Sequence, residues 1–258
     1  MNTVSTPALA GALIGRSATS MRRIPSAIIP IIVMPLFFVF GFSNTFKGLT
    51  LMPGYPTDNI YNWMVPYACV QTASFGALAS SFSLGRDLED GFYDRLLLSP
   101  ARIWVVPAAS VTWAGMRSAI PLVVTLVAGF IGGMTIPGGF MGIFWLAVAA
   151  AGVAAMASLW GMGVTYRVKK QSAGGLVQVG LFVAMFLSIG TVPIDLMEGW
   201  LPHVAKYNPI TAILTLSRTG FIEPTLQWGD IWPGLIAIFV SSVLLGWYAK
   251  RGMKTLIP

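Results

Sequence analysis

Residues 140–166 read FMGIFWLAVAAAGVAAMASLWGMGVTY and contain no charged side chain. About 20 such residues in a helix cross the hydrocarbon core of a bilayer, which is about 30 Å thick. Working outward along the chain, we find further apolar blocks of similar kind at Pro25–Phe42, Asn62–Leu84, Trp104–Gly133, Gly174–Pro193 and Ile231–Ala249. The sequence therefore predicts an all-α integral membrane protein with six transmembrane helices, forming a single domain over residues 1–258.

Composition supports this fold class. Of the 258 residues, 55% are hydrophobic and 10% are charged, whereas about 25% are charged in an ordinary soluble domain. A single cysteine, Cys69, excludes a disulfide framework within the chain, and a single histidine, His203, removes most metal and acid–base sites. The net charge of +7 is scattered between apolar blocks rather than gathered in a stripe, so it does not indicate nucleic-acid binding.

The basic residues predict the orientation in the membrane, because Lys and Arg favour cytoplasmic loops. With the N-terminus in the cytoplasm, the cytoplasmic segments carry twelve of them and Arg117 lies within a block. The opposite side carries only Lys47, Lys206 and Arg218. The twelve are Arg16, Arg22, Arg23, Arg86, Arg95, Arg102, Arg167, Lys169, Lys170, Lys250, Arg251 and Lys254. Both termini are therefore predicted to be cytoplasmic. The first 23 residues predict an amphipathic helix lying on the membrane interface.

Two segments between the blocks are informative. Residues 85–107, GRDLEDGFYDRLLLSPARIWVVP, place acidic residues ahead of Phe92–Leu98 and a Ser-Pro stop after it. This pattern predicts a short helix, with its acids at the start, whose apolar side either binds a partner or lies on the membrane interface. Ile194–Asp230 is long but still apolar. It predicts one or two short helices that re-enter the outer leaflet before the last span.

Both segments resemble signatures of the ABC type-2 transporter permeases, and the daunorubicin-resistance type within them. The cytoplasmic match consists of Arg86, Glu89, Gly91, Leu96–Leu98, Ser99, Pro100 and Arg102. The outer match consists of Leu201, Pro202, Asn208, Pro209 and Thr211. One departure is Phe92, where the family often has Thr, and it adds bulk at the expected docking surface.

The resemblance implies an exporter subunit in a bacterial cytoplasmic (inner) membrane that moves a hydrophobic, amphipathic drug or lipid-like substrate outward. It implies a second permease, identical or homologous, and two copies of a cytosolic ABC ATPase that bind Mg-ATP. The coupling helix that docks on the ATPase would involve Arg86, Glu89, Gly91, Phe92, Leu96, Ser99 and Pro100. The chain has no Gly-x-x-x-x-Gly-Lys-Ser/Thr motif, so we expect no nucleotide site, no cofactor and no enzymatic activity on it.

Other polar residues have two interpretations each. Arg117 would cost about 2.5–3.5 kcal/mol inside a span. It either faces a substrate cavity or, as the sequence favours, extends to the cytoplasmic interface from a span that starts near Trp113. Gln178 bridges helices or lines the same cavity. Asp195 and Glu198 form an external gate with Asn208 and Pro209, or simply mark the water interface.

Other classes of protein remain open at this point. A self-sufficient secondary transporter or channel should carry acidic residues inside its spans and repeated halves, and no Asp or Glu lies deep in any block. A membrane scaffold or sensor would give no reason for an apolar cytosolic helix. A membrane-embedded enzyme is disfavoured because the sequence offers no cluster of catalytic residue types.

Overall fold

The computed structural model describes residues 6–23, 25–91, 93 and 104–256, and every regular element within these ranges is helical. The principal helices are α1 (Thr6–Arg23), α2 (Pro25–Leu36), α3 (Ile60–Glu89), α4 (Val105–Arg117), α5 (Ala119–Ile131), α6 (Phe140–Val168), α7 (Ala173–Phe186), α8 (Leu201–Tyr207), α9 (Pro209–Arg218) and α10 (Trp228–Met253). After α2 the chain continues through a π-helical segment, Phe37–Phe42, a single α-helical turn, Ser43–Phe46, and a 3-10 helix, Lys47–Leu51.

Helical stretches long and apolar enough to cross a membrane account for four of the predicted blocks. Within the described residues they are Ile31–Leu51, Val105–Ile131, Phe140–Val168 and Trp228–Leu256. The fifth block contains only the shorter apolar helix α7, which has 14 residues. The second block lies in α3, which is long enough at 30 residues but less apolar, because polar residues such as Gln71 and Ser74 lie in its middle.

The core is centred on α3 and α6. Along α3, Met64, Val65, Ala68 and Cys69 are fully buried. The facing side of α6 carries mostly small residues, namely Ala149, Ala150, Val153, Ala154 and Ala157. Small residues let two helix backbones approach closely, which is how helices associate where lipid gives no hydrophobic driving force. By contrast, α10 exposes Phe239 and Leu244, as expected of a helix that faces lipid or a second subunit.

Two helix boundaries differ from the ends of the predicted apolar blocks. The second apolar block ends at Leu84, but α3 continues to Glu89 and is followed by Gly91 with its positive φ. The acidic Asp87 and Glu89 therefore lie in the last turn of α3 rather than at the start of the next helix. The block Trp104–Gly133 forms two helices that meet at Ser118, whose φ and ψ stay helical at −63° and −14°. The helix that carries Arg117 thus begins at Val105.

The short helices expected before the last span are present as α8 and α9, preceded by a 3-10 turn at Ile194–Leu196. A helix is also present where the amphipathic N-terminal segment was expected, as α1. Both predictions of local structure are confirmed. Together these elements place a cavity between α1, α2, α3, α4 and α7, described next.

Candidate functional site

A cavity of about 660 Å³ lies between α1, α2, α3, α4 and α7. Its walls are largely apolar, and an aromatic pair from α3 and α7, Phe75 and Phe182, has ring centroids 4.6 Å apart. One face of α4 lines the cavity through Val106, Ser110, Trp113 and Arg117, which follow one another at helical spacing. Both residues that the sequence analysis proposed for a substrate cavity, Arg117 and Gln178, line this same space.

Arg117 is held inside the bundle. Its side chain is only 8% exposed, so the guanidinium does not extend to the surface of the chain as the sequence had favoured. Gly76 of α3 packs beside it: a Cβ at Gly76 would lie 3.5 Å from Arg117 Nη2, an ordinary contact distance. That Nη2 atom has no hydrogen-bond acceptor within the part of the chain that the structure describes. A buried guanidinium without a partner is costly, which sets Arg117 apart from the other cations around the cavity.

Charged side chains also surround the cytoplasmic end of the cavity. Arg16 of α1 donates to Asp87 of α3, with 2.6 Å between Nη2 and Oδ1, so this pair is neutral as a unit. Arg86 lines the same end and is exposed. The charged residues that line the cavity are thus three arginines and one aspartate, and its interior has a positive electrostatic character.

The coupling-helix residues are described only in part. Arg86 and Glu89 are exposed in the last turn of α3. Gly91 follows the helix with φ of +65°, a left-handed conformation that glycine adopts without strain, and its N–H donates to the carbonyl of Leu88. This explains why the motif needs a glycine there. Phe92, Leu96, Ser99 and Pro100 lie outside the described residues.

The segment around the motif is attached to neighbouring helices. The Glu89 carboxylate accepts a hydrogen bond from the backbone N–H of Gln171, in the loop between α6 and α7, at 3.2 Å. Tyr93 is buried, and its hydroxyl lies 2.7 Å from that of Tyr166 on α6. Burial raises the pKa of Tyr93, so its hydroxyl stays protonated. The end of α3 and Tyr93 are thereby linked to both ends of the α6–α7 connection.

At the opposite end of the bundle, Asn208 links two helices. Its Oδ1 accepts from the N–H of Ile210 at 2.9 Å, which caps the start of α9. Its Nδ2 donates to the carbonyls of Ala184 at 2.7 Å and Leu187 at 2.9 Å, where α7 ends. Pro209 occupies the first turn of α9, where its missing N–H costs nothing. The Asn-Pro pair of the outer motif thus joins the end of α7 to the start of α9.

Asp195 and Glu198 are not brought into this arrangement. Both are exposed, as are His203 and Lys206, and the one ion pair among the described residues is that of Arg16 with Asp87. The structure therefore does not bring the four together as a charged network. Their exposure agrees with the interpretation that they mark the water interface.

Arg218 is a residue that the sequence analysis treated only as an outer charge. It is 3% exposed, and its guanidinium donates to the carbonyls of Trp63 (3.3 Å), Ile189 (2.8 Å) and Gly190 (2.6 Å). It also lies over the Trp63 ring, 3.5 Å from the centroid. A signal was available, since Ile210, Leu214 and Arg218 recur every four residues and share the apolar face of α9.

Known proteins resemble this chain over most of its length. The profile of the family described as ABC-2 type transporter matches residues 9–222. A daunorubicin resistance ABC transporter permease protein of Streptomyces coeruleorubidus is 24% identical over 241 residues, covering 93% of this chain and 82% of the relative. A putative transport permease of Cyanophora paradoxa is 24% identical over 220 residues, covering 84% and 74%.

A third relative, a probable multidrug ABC transporter permease of Escherichia coli K12, is 25% identical over 186 residues, which is 68% of this chain and 49% of the relative. The family match covers both the cavity-lining helices and the Asn208-Pro209 motif. With its apolar helices of membrane-spanning length, the chain is a multi-pass membrane protein that belongs to the ABC-2 type transporter family.

Proposed function

We propose that this chain is the permease subunit of an ATP-driven exporter, which moves a hydrophobic, amphipathic drug or lipid-like molecule outward across the bacterial cytoplasmic (inner) membrane. The observation that carries the proposal is the cavity of about 660 Å³, which is largely apolar along its walls and has charged residues at its cytoplasmic end and at Arg117 farther in. Such a space suits a molecule with an apolar body and a polar group. The names of the relatives, which refer to daunorubicin and multidrug transport, agree with that class of substrate.

In the proposed topology, α3 and α7 complete six spans, and both termini lie in the cytoplasm. The 14 residues of α7 rise only about 21 Å, so the span must continue through the non-helical Leu187–Pro193. Irregular backbone is tolerated in a membrane only where protein satisfies its polar groups. Asn208 and Arg218 do so here, since they donate to the carbonyls of Leu187, Ile189 and Gly190. This supports the placement of α8 and α9 as re-entrant helices.

We propose that ATP is hydrolysed on two copies of a separate cytosolic ATPase, and that a second permease, identical or homologous, completes the pump. The docking residues would be Arg86, Glu89, Gly91, Phe92, Leu96, Ser99 and Pro100, the coupling segment. Support comes from the described part of this segment, where Arg86 and Glu89 are exposed and Glu89 and Tyr93 contact the α6–α7 connection. At the other end, Asn208 and Pro209 would position the external gate, with Asp195 and Glu198 at its water-facing edge.

The alternative is a self-sufficient secondary transporter. Coupling to protons usually requires a carboxylate buried among the spans. Among the described residues, the charged side chains that are buried are Arg117 and Arg218, both cations. That observation favours an external source of energy.

The experiment that tests the proposal is co-purification from native cells in mild detergent, followed by an assay of Mg-ATP hydrolysis. We expect an ABC ATPase to be recovered with the tagged chain. Phe92→Asp with Leu96→Asp should remove it, because two charges would stand at an apolar docking surface. Tyr207→Asp, at a residue 83% exposed near the other end of the bundle, is the matched control and should retain the ATPase. Recovery of the chain alone under every mild condition would contradict the proposal.

A further inference from the structure

We propose that Arg117 binds the acidic headgroup of an anionic amphiphile, a carboxylate or phosphate on an apolar chain, within the cavity between α1, α2, α3, α4 and α7. The inference deepens the proposed function, on which it rests for the direction and energy of transport, by naming the charge class of the molecule that the cavity holds. It concerns binding by the chain itself, which can be measured without any ATPase.

The first argument is the state of the Arg117 guanidinium. It is more than nine-tenths buried, it lines the cavity, and its Nη2 has no acceptor among the described residues. Arg218, the other buried arginine, donates to three backbone carbonyls and lies over an aromatic ring. The fold thus provides acceptors for one buried guanidinium, whereas the other, at the wall of a cavity, keeps a donor without an acceptor among the described residues. An anionic oxygen is the partner that an unsatisfied guanidinium donor binds most strongly.

The second argument is the shape of the space around Arg117. The residues of α3 that line the cavity run from Thr72 to Asp87, and at 1.5 Å per residue this stretch of the helix is about 22 Å long. Between these ends the walls carry Phe75, Phe82 and Phe182. A long, apolar space with one unsatisfied cation near its inner end matches a single headgroup followed by an extended apolar chain.

The third argument is the charge at the other end. Because Arg16 and Asp87 form an ion pair, the charge that remains among the described residues lining this end of the cavity is that of the exposed Arg86. The described residues that line the cavity thus carry a net positive charge, from Arg86 at this end and from Arg117 farther in. A cationic amphiphile would be disfavoured at both positions.

The test uses the full chain in nanodiscs of phosphatidylcholine. The probes are a photoactivatable fatty acid, its alcohol and its primary amine, all with the same acyl chain, and the labelled residues are located by mass spectrometry. We expect the fatty acid to label the cavity walls, for example Trp113 and Phe182, and the alcohol and amine to bind at least about tenfold more weakly, the lower end of what a charge-assisted hydrogen bond provides.

Variants of Arg117 separate binding from folding. Arg117→Gln should weaken fatty-acid binding by a similar factor and bring it to the level of the alcohol, while the thermal stability of the chain stays equal or rises because an unpartnered buried charge is removed. Arg117→Lys should retain part of the binding. Arg251→Gln, which removes an arginine stacked on Trp247 away from the cavity, is the matched control and should bind as the parent does.

A second set of probes identifies the source of the headgroup. A photoactivatable phosphatidylglycerol placed in the bilayer competes with the fatty acid added from water. Labelling of the cavity by either one, lost in Arg117→Gln, supports the proposal and tells whether the anion comes from the bilayer or from solution. Equal labelling by acid and alcohol, or unchanged binding in Arg117→Gln, would overturn it, as would an acidic residue of a second copy that already occupies Arg117.

The outcomes also distinguish this inference from the proposed function. If anion binding depends on Arg117 but no ATPase is recovered with the chain, the anion site is supported and the exporter function is contradicted. If ATP-dependent transport is unchanged in Arg117→Gln and the anionic probe is not preferred, the exporter function is supported and the anion site is contradicted.

Discussion

Replacing Asn208 by Ala should remove the hydrogen bonds that join the end of α7 to the start of α9. The change removes the cap on α9, worth about 1 kcal/mol. It also removes the two hydrogen bonds to the carbonyls of Ala184 and Leu187, worth about 0.6–1 kcal/mol each. We therefore expect Asn208→Ala to lower the free energy of unfolding by roughly 2–3 kcal/mol in total.

Asn208→Ser separates the two contributions, because a serine hydroxyl can still cap the helix but cannot donate to both carbonyls. It should cost about 1–2 kcal/mol. Asn44→Ala is the control, since the Asn44 amide donates to one local carbonyl, that of Phe40, at an exposed position, and it should cost less than about 0.5 kcal/mol.

The assay is reversible unfolding of the purified chain by SDS in mixed micelles, read by tryptophan fluorescence. Amide hydrogen exchange adds a local readout, because the N–H of Leu187, which donates to Val183 at the end of α7, should exchange faster in both Asn208 variants. If Asn208→Ala unfolds with the same free energy as Asn44→Ala, or if exchange at Leu187 does not change, the joint between α7 and α9 does not carry the stability that we assign to it.

Three further predictions concern packing, each measured by the same unfolding assay. Arg218→Met should lower the free energy of unfolding by about 2–4 kcal/mol, because it leaves three buried carbonyls without a donor. Arg218→Lys should restore only part of that stability, because an ammonium lacks the planar fork of a guanidinium. Full restoration by Arg218→Lys would contradict the prediction. Tyr93→Phe and Tyr166→Phe should each lower the free energy of unfolding by about 1–3 kcal/mol. The double variant should lose less than the sum of the two single losses. Additive losses would contradict the hydrogen bond between the two hydroxyls. Gly85→Ala should destabilise the protein by about 1–3 kcal/mol, because a Cβ at this position would lie 2.6 Å from the backbone of the α6–α7 loop. Gly175 has open space around it, so Gly175→Ala is the control and should be neutral or stabilising.

Much of the helical architecture was predictable, because apolar runs without charge have few alternatives in a membrane. The run from Phe140 to Tyr166 falls within α6, which ends at Val168. Boundaries were predicted less well: Leu84 was taken as the end of a span because Arg86 and Asp87 are charged, yet α3 continues through them. Charge predicts where water begins, whereas a helix ends where backbone conformation changes, here at Gly91 with its positive φ.

The site was predictable in parts. Gln178 and Arg117 were proposed for one cavity and do line one cavity, but the burial of Arg117 depends on packing against other helices, such as α3 at Gly76. The burial of Arg218 likewise depends on carbonyls of Trp63 and Gly190, which are distant in sequence. Such partners are supplied by tertiary packing, so a single sequence read helix by helix does not reveal them.

The attachments near the end of α3 have a mechanical consequence. Within seven residues, Asp87 is joined to α1, Glu89 to the α6–α7 loop and Tyr93 to α6. A force applied to the chain at Gly91 would therefore be transmitted through three connections, to α1, to the α6–α7 loop and to α6. The link to α1 is an exposed ion pair whose stiffness falls as salt screens it, while the buried tyrosine pair is indifferent to ionic strength. High salt would thus weaken the connection to α1 and leave the connection to α6 unchanged. When the end of α3 is displaced at high ionic strength, α1 would move less than α6.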